Sequence, residues 1–272
     1  MPLARLPGID FHFEQSGAGP PLLVTAGWTL AERAFASHRA MLDSNFRCLL
    51  HDHRGIGRSV APPGPLSIEQ MADDLAALLD HLALPAVRVL GGGGMGAQVA
   101  MELAIRHPQR VSALLLGSPC LRVDAFLREL MQMWKALRRL DAQLWAREVT
   151  FWCYAPASFE RRPELVQGAM SARAGEPTFA DADAFDRIVD AYIAHDATDR
   201  AGRIRCPVLV TSGGTEDLIT GPRFARAVQS AISGSSLHVF EGTSHNYWVE
   251  QPEEFGALVL DWFNAHGGSP AD

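Results

Sequence analysis

AVRVLGGGGMGAQVAMELA, residues 86–104, passes from a short apolar run through four consecutive glycines into a helical pattern. The run AVRVLGG (86–92) is apolar at nearly every position, as expected of a strand covered on both faces. Met95 to His107 then keeps a helical pattern, and Pro108 stops it. A glycine-rich strand-to-helix turn suits two chemistries. One is dinucleotide binding, for which Gly91-x-Gly93-x-x-Gly96 has the right spacing. That site also wants a carboxylate about 20 positions further on. The next strand ends Leu116-Gly117-Ser118-Pro119, with none, and the turn does not follow the first strand, so this reading is set aside.

The same alternation extends outward in both directions. PLLVTAG (21–27), FRCLLHD (46–52), VSALLLGS (111–118), PVLVTSGG (207–214) and SLHVFEG (236–242) read as further buried strands. Ser67-Ile-Glu-Gln70 is a capping-box start for a helix that Pro85 ends, and the last helix begins at Pro252 with Gly267 after its end. IDFHFEQSG (9–17) alternates apolar and polar and predicts an antiparallel edge hairpin with PLLVTAG. Strands alternating with helices predict an α/β, doubly wound and mostly parallel sheet, with function at the carboxyl ends of the strands.

One segment breaks this rhythm. Residues 121–200 hold no strand-like run, while Val123, Phe126, Leu127, Leu130, Trp134 and Leu137 recur at spacings of three and four. Trp145, Val149 and Trp152 continue that spacing, and Phe185, Ile188 and Tyr192 form a later helix. So many helical residues exceed an ordinary crossover, which predicts a lid at 121–200 over a core made of 1–120 and 201–272.

At 272 residues the chain can bury a large core. It is 47% hydrophobic and 20% charged with a net charge of −7, which gives no electrostatic footprint for nucleic acid or anionic lipid. No run approaches the ~18 apolar residues of a membrane span, and the N-terminus lacks a signal-peptide core. Cys48, Cys120, Cys153 and Cys206 form no Cys-x-x-Cys pair, so a reduced, cytoplasmic setting is expected. His51-Asp52-His53 invites a metal reading, but on a strand Asp52 points away from both histidines.

Several strand ends carry distinctive residues. They are Ala26-Gly27-Trp28, Asp52-His53-Arg54-Gly55-Ile56-Gly57-Arg58-Ser59, the glycine turn, Asp217, and Gly242-Thr-Ser-His245. In this order the chain resembles the α/β-hydrolase superfamily over essentially its whole length. The lid, inserted after the sixth strand of that fold, and the return segment to Pro207 look like the esterase, enol-lactonase and carbon–carbon-bond hydrolase branch. The resemblance implies a nucleophile elbow, G-x-S-x-G, served by a His–acid pair and two oxyanion-binding amides. It puts the acid at Asp217, with Glu216 as local competitor, and the base at His245. The oxyanion amides would be those of Trp28 and Met95, and the nucleophile position falls at Gly94, which has no attacking atom. Gly27, Trp134, Trp145, Trp152 and Trp248 would line the substrate pocket, with Tyr154 also available, and Arg54 and Arg58 are the candidates for a substrate carboxylate. Ser118 and Cys120 are weak substitute nucleophiles, and His195-Asp196 is a hinge contact.

Three explanations follow from the missing serine. The chain uses a His245–Asp217 dyad on a small, mostly apolar ester, lactone or activated carbonyl compound. Alternatively it is an engineered Ser→Gly knock-out of an ordinary serine hydrolase. In the third, it performs cofactor-free lyase or oxygenase chemistry, or binds a small ligand without turnover. No metal or organic cofactor is implied. The expected partner is a small molecule, with neither nucleic acid nor membrane, and the expected assembly is a monomer or homodimer.

Overall fold

The computed structural model describes residues 3–28, 34–60, 64–175 and 182–266; Gly267 lies outside them. Eight strands form one sheet: β1 (Leu3–Leu6), β2 (Ile9–Ser16), β3 (Pro21–Thr25), β4 (Arg47–His51), β5 (Val87–Gly91), β6 (Val111–Gly117), β7 (Val208–Gly213) and β8 (Ser236–Phe240). Their order is β1-β2-β4-β3-β5-β6-β7-β8. From β4 to β8 every pairing is parallel, while β2 is antiparallel to both β1 and β4.

The hairpin expected between IDFHFEQSG and PLLVTAG does not form. β3 is flanked on both sides by parallel neighbours, β4 and β5, and has no free edge. β2 instead pairs with the outer edge of β4, Phe13 opposite His51 and Glu14 opposite Leu50.

Successive strand residues point to opposite sheet faces, and the core divides accordingly. Leu23, Leu49, Val89, Leu114 and Leu116 pack with the helices Ile68–His81, Met95–Arg106 and Pro222–Ala231. Leu22, Val24, Leu50, Leu90 and Leu115 pack on the other face with Leu42, Phe255, Val259 and Phe263. Strands covered on both faces are therefore apolar at nearly every position, the pattern visible in the sequence. Ser67 Oγ accepts a hydrogen bond from the Gln70 amide at 3.1 Å and starts the first of these helices.

The strand order reverses direction between β3 and its neighbours β4 and β5, and a crevice opens there at the strand carboxyl ends. Five helices between β6 and β7 stand over it: Ala125–Leu140, Ala142–Cys153, Pro156–Arg161, Pro163–Ala174 and Ala182–Ala194. Carboxylates of Asp124 and Asp141 cap the first two, accepting bonds from the amides of Leu127 and of Gln143 and Leu144. The insertion closes on a narrow stem, where the Ala197 amide bonds the Leu121 carbonyl at 2.9 Å. No helix of the described residues is long and apolar enough to cross a membrane.

Candidate active site

β5 ends at Gly91 and the next helix begins at Met95, so the chain reverses within three residues. Gly94 sits at the apex with φ 64° and ψ −81°, a left-handed backbone conformation that side chains disfavour. Gly27 answers it from the end of β3. A Cβ on Gly27 would stand 2.3 Å from the Gly93 carbonyl oxygen, so only glycine lets the two loops touch. His53 braces this loop from the segment just after β4: its Nε2–H donates to the Ala26 carbonyl at 2.9 Å. Burial pushes the His53 pKa down to about 4, so the ring is a neutral donor.

Asp217 and His245 come from the loops after β7 and β8. Asp217 is buried, and its Oδ1 accepts bonds from the amides of Ile219 (2.9 Å) and Thr220 (3.0 Å). Those bonds fix the carboxylate so that Oδ2 stands 3.3 Å from His245 Nδ1. Thr220 Oγ1 lies 3.1 Å from the same nitrogen. Two oxygens at Nδ1 favour the tautomer with its hydrogen there, which leaves Nε2 with a lone pair. Glu216, the local competitor, is exposed.

A cavity of about 220 Å³ lies between the elbow and the helical insertion. Gly27, Trp28, Gly94, Met95, His245 and Trp248 line it from the sheet side, and Met131, Trp134, Tyr154, Arg173 and Tyr192 line it from the insertion. Met95 is the first residue of its helix, so its amide is among those without an intrahelical partner. The wall is mostly apolar, with a few convergent polar groups, the usual make-up of a small-molecule site.

Trp145 and Trp152, expected at the pocket, do not line it. Trp145 is buried edge-on against Phe185, and Trp152 directs its Nε1–H to Glu148 Oε1 at 2.5 Å. Helical spacing alone does not tell a cavity face from a packing face: Trp145 fills the insertion's interior, and the half-buried Trp152 packs edge-on against Phe126. Arg54 and Arg58 are committed elsewhere. Arg54 forms a two-pronged pair with Asp74, at 2.9 and 2.5 Å, and Arg58 bonds Asp52 and Glu14. Neither lines the cavity. His51 is buried against Phe11 and His53, while Asp52 contacts His12 instead. Ser118 and Cys120 are buried and away from the cavity lining. Cys153 does line it, but burial pushes its thiol up to about 11.

His195 bonds Glu102 Oε1 at 2.9 Å, outside the cavity. Glu69, Glu102 and His195 hold their ligand atoms within 4.8 Å of one another, the spacing of a metal site. Arg200 bonds both carboxylates there, at 2.8 and 3.4 Å, so the group is an ion-pair network that already contains its cation.

Three residues escaped sequence reading. Tyr192 and Arg173 lie on insertion helices, where a hydroxyl on an apolar face and a cation on a short helix were the available signals. Glu250 ties the site together: its carboxylate accepts bonds from the Ala155 amide, the Ser158 hydroxyl and the Ser244 amide. It thereby holds the loop bearing His245 against the insertion.

The profile of the family described as serine aminopeptidase, S33, matches residues 30–252. The 3-oxoadipate enol-lactonase 2 of Acinetobacter baylyi is 28% identical over 225 residues, covering 81% of this chain and 79% of its own. The crystal structure of an enol-lactonase from Burkholderia xenovorans LB400 superposes with a TM-score of 0.86 at 26% identity, over 97% of this chain and all of that one. A thermophilic esterase from Thermogutta terrifontis, solved with malate bound, gives 0.82 at 28% identity, over 95% and 94%.

Proposed function

Since this chain belongs to the serine aminopeptidase S33 family of α/β-hydrolases, we propose that it hydrolyses a small, mostly apolar ester or lactone without passing through an acyl-enzyme. The observation that carries this reading is the cavity floor: an elbow whose apex, Gly94, has no side chain, bordered by an imidazole that a buried carboxylate orients. Without an oxygen or sulfur at residue 94, no covalent intermediate can form there. Water takes the nucleophile's part. His245 Nε2 accepts one proton as the water oxygen bonds to the carbonyl carbon. The amides of Trp28 and Met95 hold the resulting oxyanion. When the tetrahedral species collapses, the carbon–oxygen bond breaks and the leaving alkoxide takes the proton back from His245.

p-Nitrophenyl butyrate tests this directly. The chain is expected to release p-nitrophenol in a steady state with no initial burst, and a serine-directed organophosphate should neither label nor inhibit it. A stoichiometric burst, or no turnover of any short ester or lactone, would sink the proposal.

Arg173 refines the substrate class. It borders a mostly apolar cavity, its Nε–H donates to Thr150 Oγ1 at 3.2 Å, and no carboxylate of the described residues pairs with it. Arg173 is half-buried and stays solvated at the cavity wall, and a ligand carboxylate can replace that water with a charge-assisted hydrogen bond. We infer that the substrate bears one carboxylate. For a monoester of adipic acid, Arg173→Gln should raise KM by about tenfold or more, the worth of one charge-assisted hydrogen bond. For the neutral dimethyl ester KM should not change. Equal effects on both esters would remove the argument for an anionic substrate.

A further inference from the structure

Tyr192 reaches the elbow from the last helix of the insertion, Ala182–Ala194. A Cβ built on Gly94 would stand 3.2 Å from Tyr192 Oη and 3.7 Å from Cζ. The phenol oxygen therefore borders the volume into which a residue-94 side chain would project. An oxygen placed above Gly94, where a serine would carry its own, lies within hydrogen-bond reach of Oη.

The other surroundings of Oη are sparse. Its polar neighbour is Cys120 Sγ at 3.5 Å, and that sulfur already receives a hydrogen from Gln98 Nε2 at 3.2 Å. The ring is held edge-on against Trp28, with centroids 5.9 Å apart. A buried tyrosine hydroxyl ordinarily finds a strong partner. Here one is a long contact to sulfur and the other face of the oxygen borders the cavity.

We propose that Tyr192 is a catalytic residue that holds the attacking water over Gly94. Its O–H donates to Cys120 Sγ, and its oxygen accepts one hydrogen of the water. The water's other hydrogen goes to His245 Nε2, which leaves an oxygen lone pair for the carbonyl carbon. On attack the new carbon–oxygen bond forms, one proton passes to His245, and Tyr192 keeps its own. Burial raises the phenol well above its ordinary range, so it stays protonated throughout. This inference rests on the non-covalent hydrolysis proposed above and assigns its water a second anchor.

The test compares Tyr192→Phe in two backgrounds. In the chain as it stands, losing the hydroxyl should lower kcat for p-nitrophenyl butyrate at least tenfold with KM within about twofold, because only the water is mispositioned. In the Gly94→Ser background the same change should act with the opposite sign. The attacking atom is then the serine oxygen, and removing Oη relieves the 3.2 Å contact and leaves the ring carbon at 3.7 Å. The rate of the p-nitrophenol burst should therefore rise. A residue that only packs would not change sign between backgrounds, and an unaltered kcat in the glycine background overturns the proposal.

Crystal structures of the two glycine-94 proteins read the site without turnover. A water within about 3 Å of both Tyr192 Oη and His245 Nε2, absent after Tyr192→Phe, is the expected result. If that water is found in a protein that hydrolyses no ester, the hydrolytic reading fails while the tyrosine's water site stands. If no such water is seen, or it survives Tyr192→Phe, the tyrosine assignment fails whatever the activity.

Discussion

His245→Ala is expected to lower kcat toward p-nitrophenyl butyrate by about 10²- to 10⁴-fold, roughly 2.7 to 5.5 kcal/mol of barrier. On the proposed mechanism the imidazole is the base, held at the cavity wall beside Asp217 and Thr220, and among the described residues that line the cavity no other histidine and no carboxylate could take a proton from water. KM should move little, since the ring contributes one edge of a wall that Trp28, Trp134 and Trp248 largely make. Thermal unfolding of wild type and variant, measured in parallel, separates lost chemistry from lost fold. Asp217→Asn should follow the same direction with a smaller effect on kcat but a larger one on stability, because Oδ1 also holds the Ile219 and Thr220 amides. If His245→Ala retains more than a tenth of wild-type kcat, the dyad is not the catalyst. A protein that binds small esters equally well with and without the imidazole, and turns over neither, is a binding protein.

Gly94→Ser is the second large effect, and it acts in the opposite direction. Serine should bring a burst of one p-nitrophenol per chain and labelling by an organophosphate, with kcat/KM rising at least about 10³-fold, because losing such a nucleophile elsewhere costs far more. The backbone already has the turn that an exposed nucleophile needs, with φ 64° and ψ −81° at the apex. A side chain there is strained by about 1–3 kcal/mol, and its Cβ presses on Tyr192 Oη, so Tm should fall by roughly 2–10 °C. A burst accompanied by silence from the glycine protein would make residue 94 the one missing part of a serine hydrolase, as an engineered knock-out requires. Turnover by both, with a burst only from serine, is the outcome that water attack predicts. If serine yields no burst, the cavity is not shaped for acyl transfer, and lyase, oxygen-dependent or ligand-binding roles come forward.

Much of this arrangement was legible in the chain. Buried strands are apolar at nearly every position and helices carry apolar residues at spacings of three and four, so the alternation of buried strands and helices follows from local periodicity. The glycine run announced a turn with close backbone approach, and Asp217 and His245 stood at strand ends, where a doubly wound sheet gathers its loops. Pairing of the first long strand was harder. Alternation in Ile9–Ser16 predicts an edge strand, yet β2 is paired on both sides, by β4 and by the short outer strand β1, and its place beside β4 depends on β3 having both sides occupied.

What the amino-acid order determined by itself was the run of buried strands, the sharp turn at Gly94 and the loops that carry Asp217 and His245, because each depends on residues a few positions apart; the short outer strand β1 and the helix Pro222–Ala231 carried no such signal. Tertiary structure alone decided which insertion side chains face the cavity. Trp134 and Trp145 belong to the same apolar pattern, yet one lines the cavity and the other packs against Phe185. Arg173 stands there rather than Arg54 or Arg58 because Asp74, Asp52 and Glu14 occupy those two guanidinium groups. Tyr192 meets Gly94 across 98 positions of chain, a contact set by the way five helices pack over the sheet edge and by no local rule.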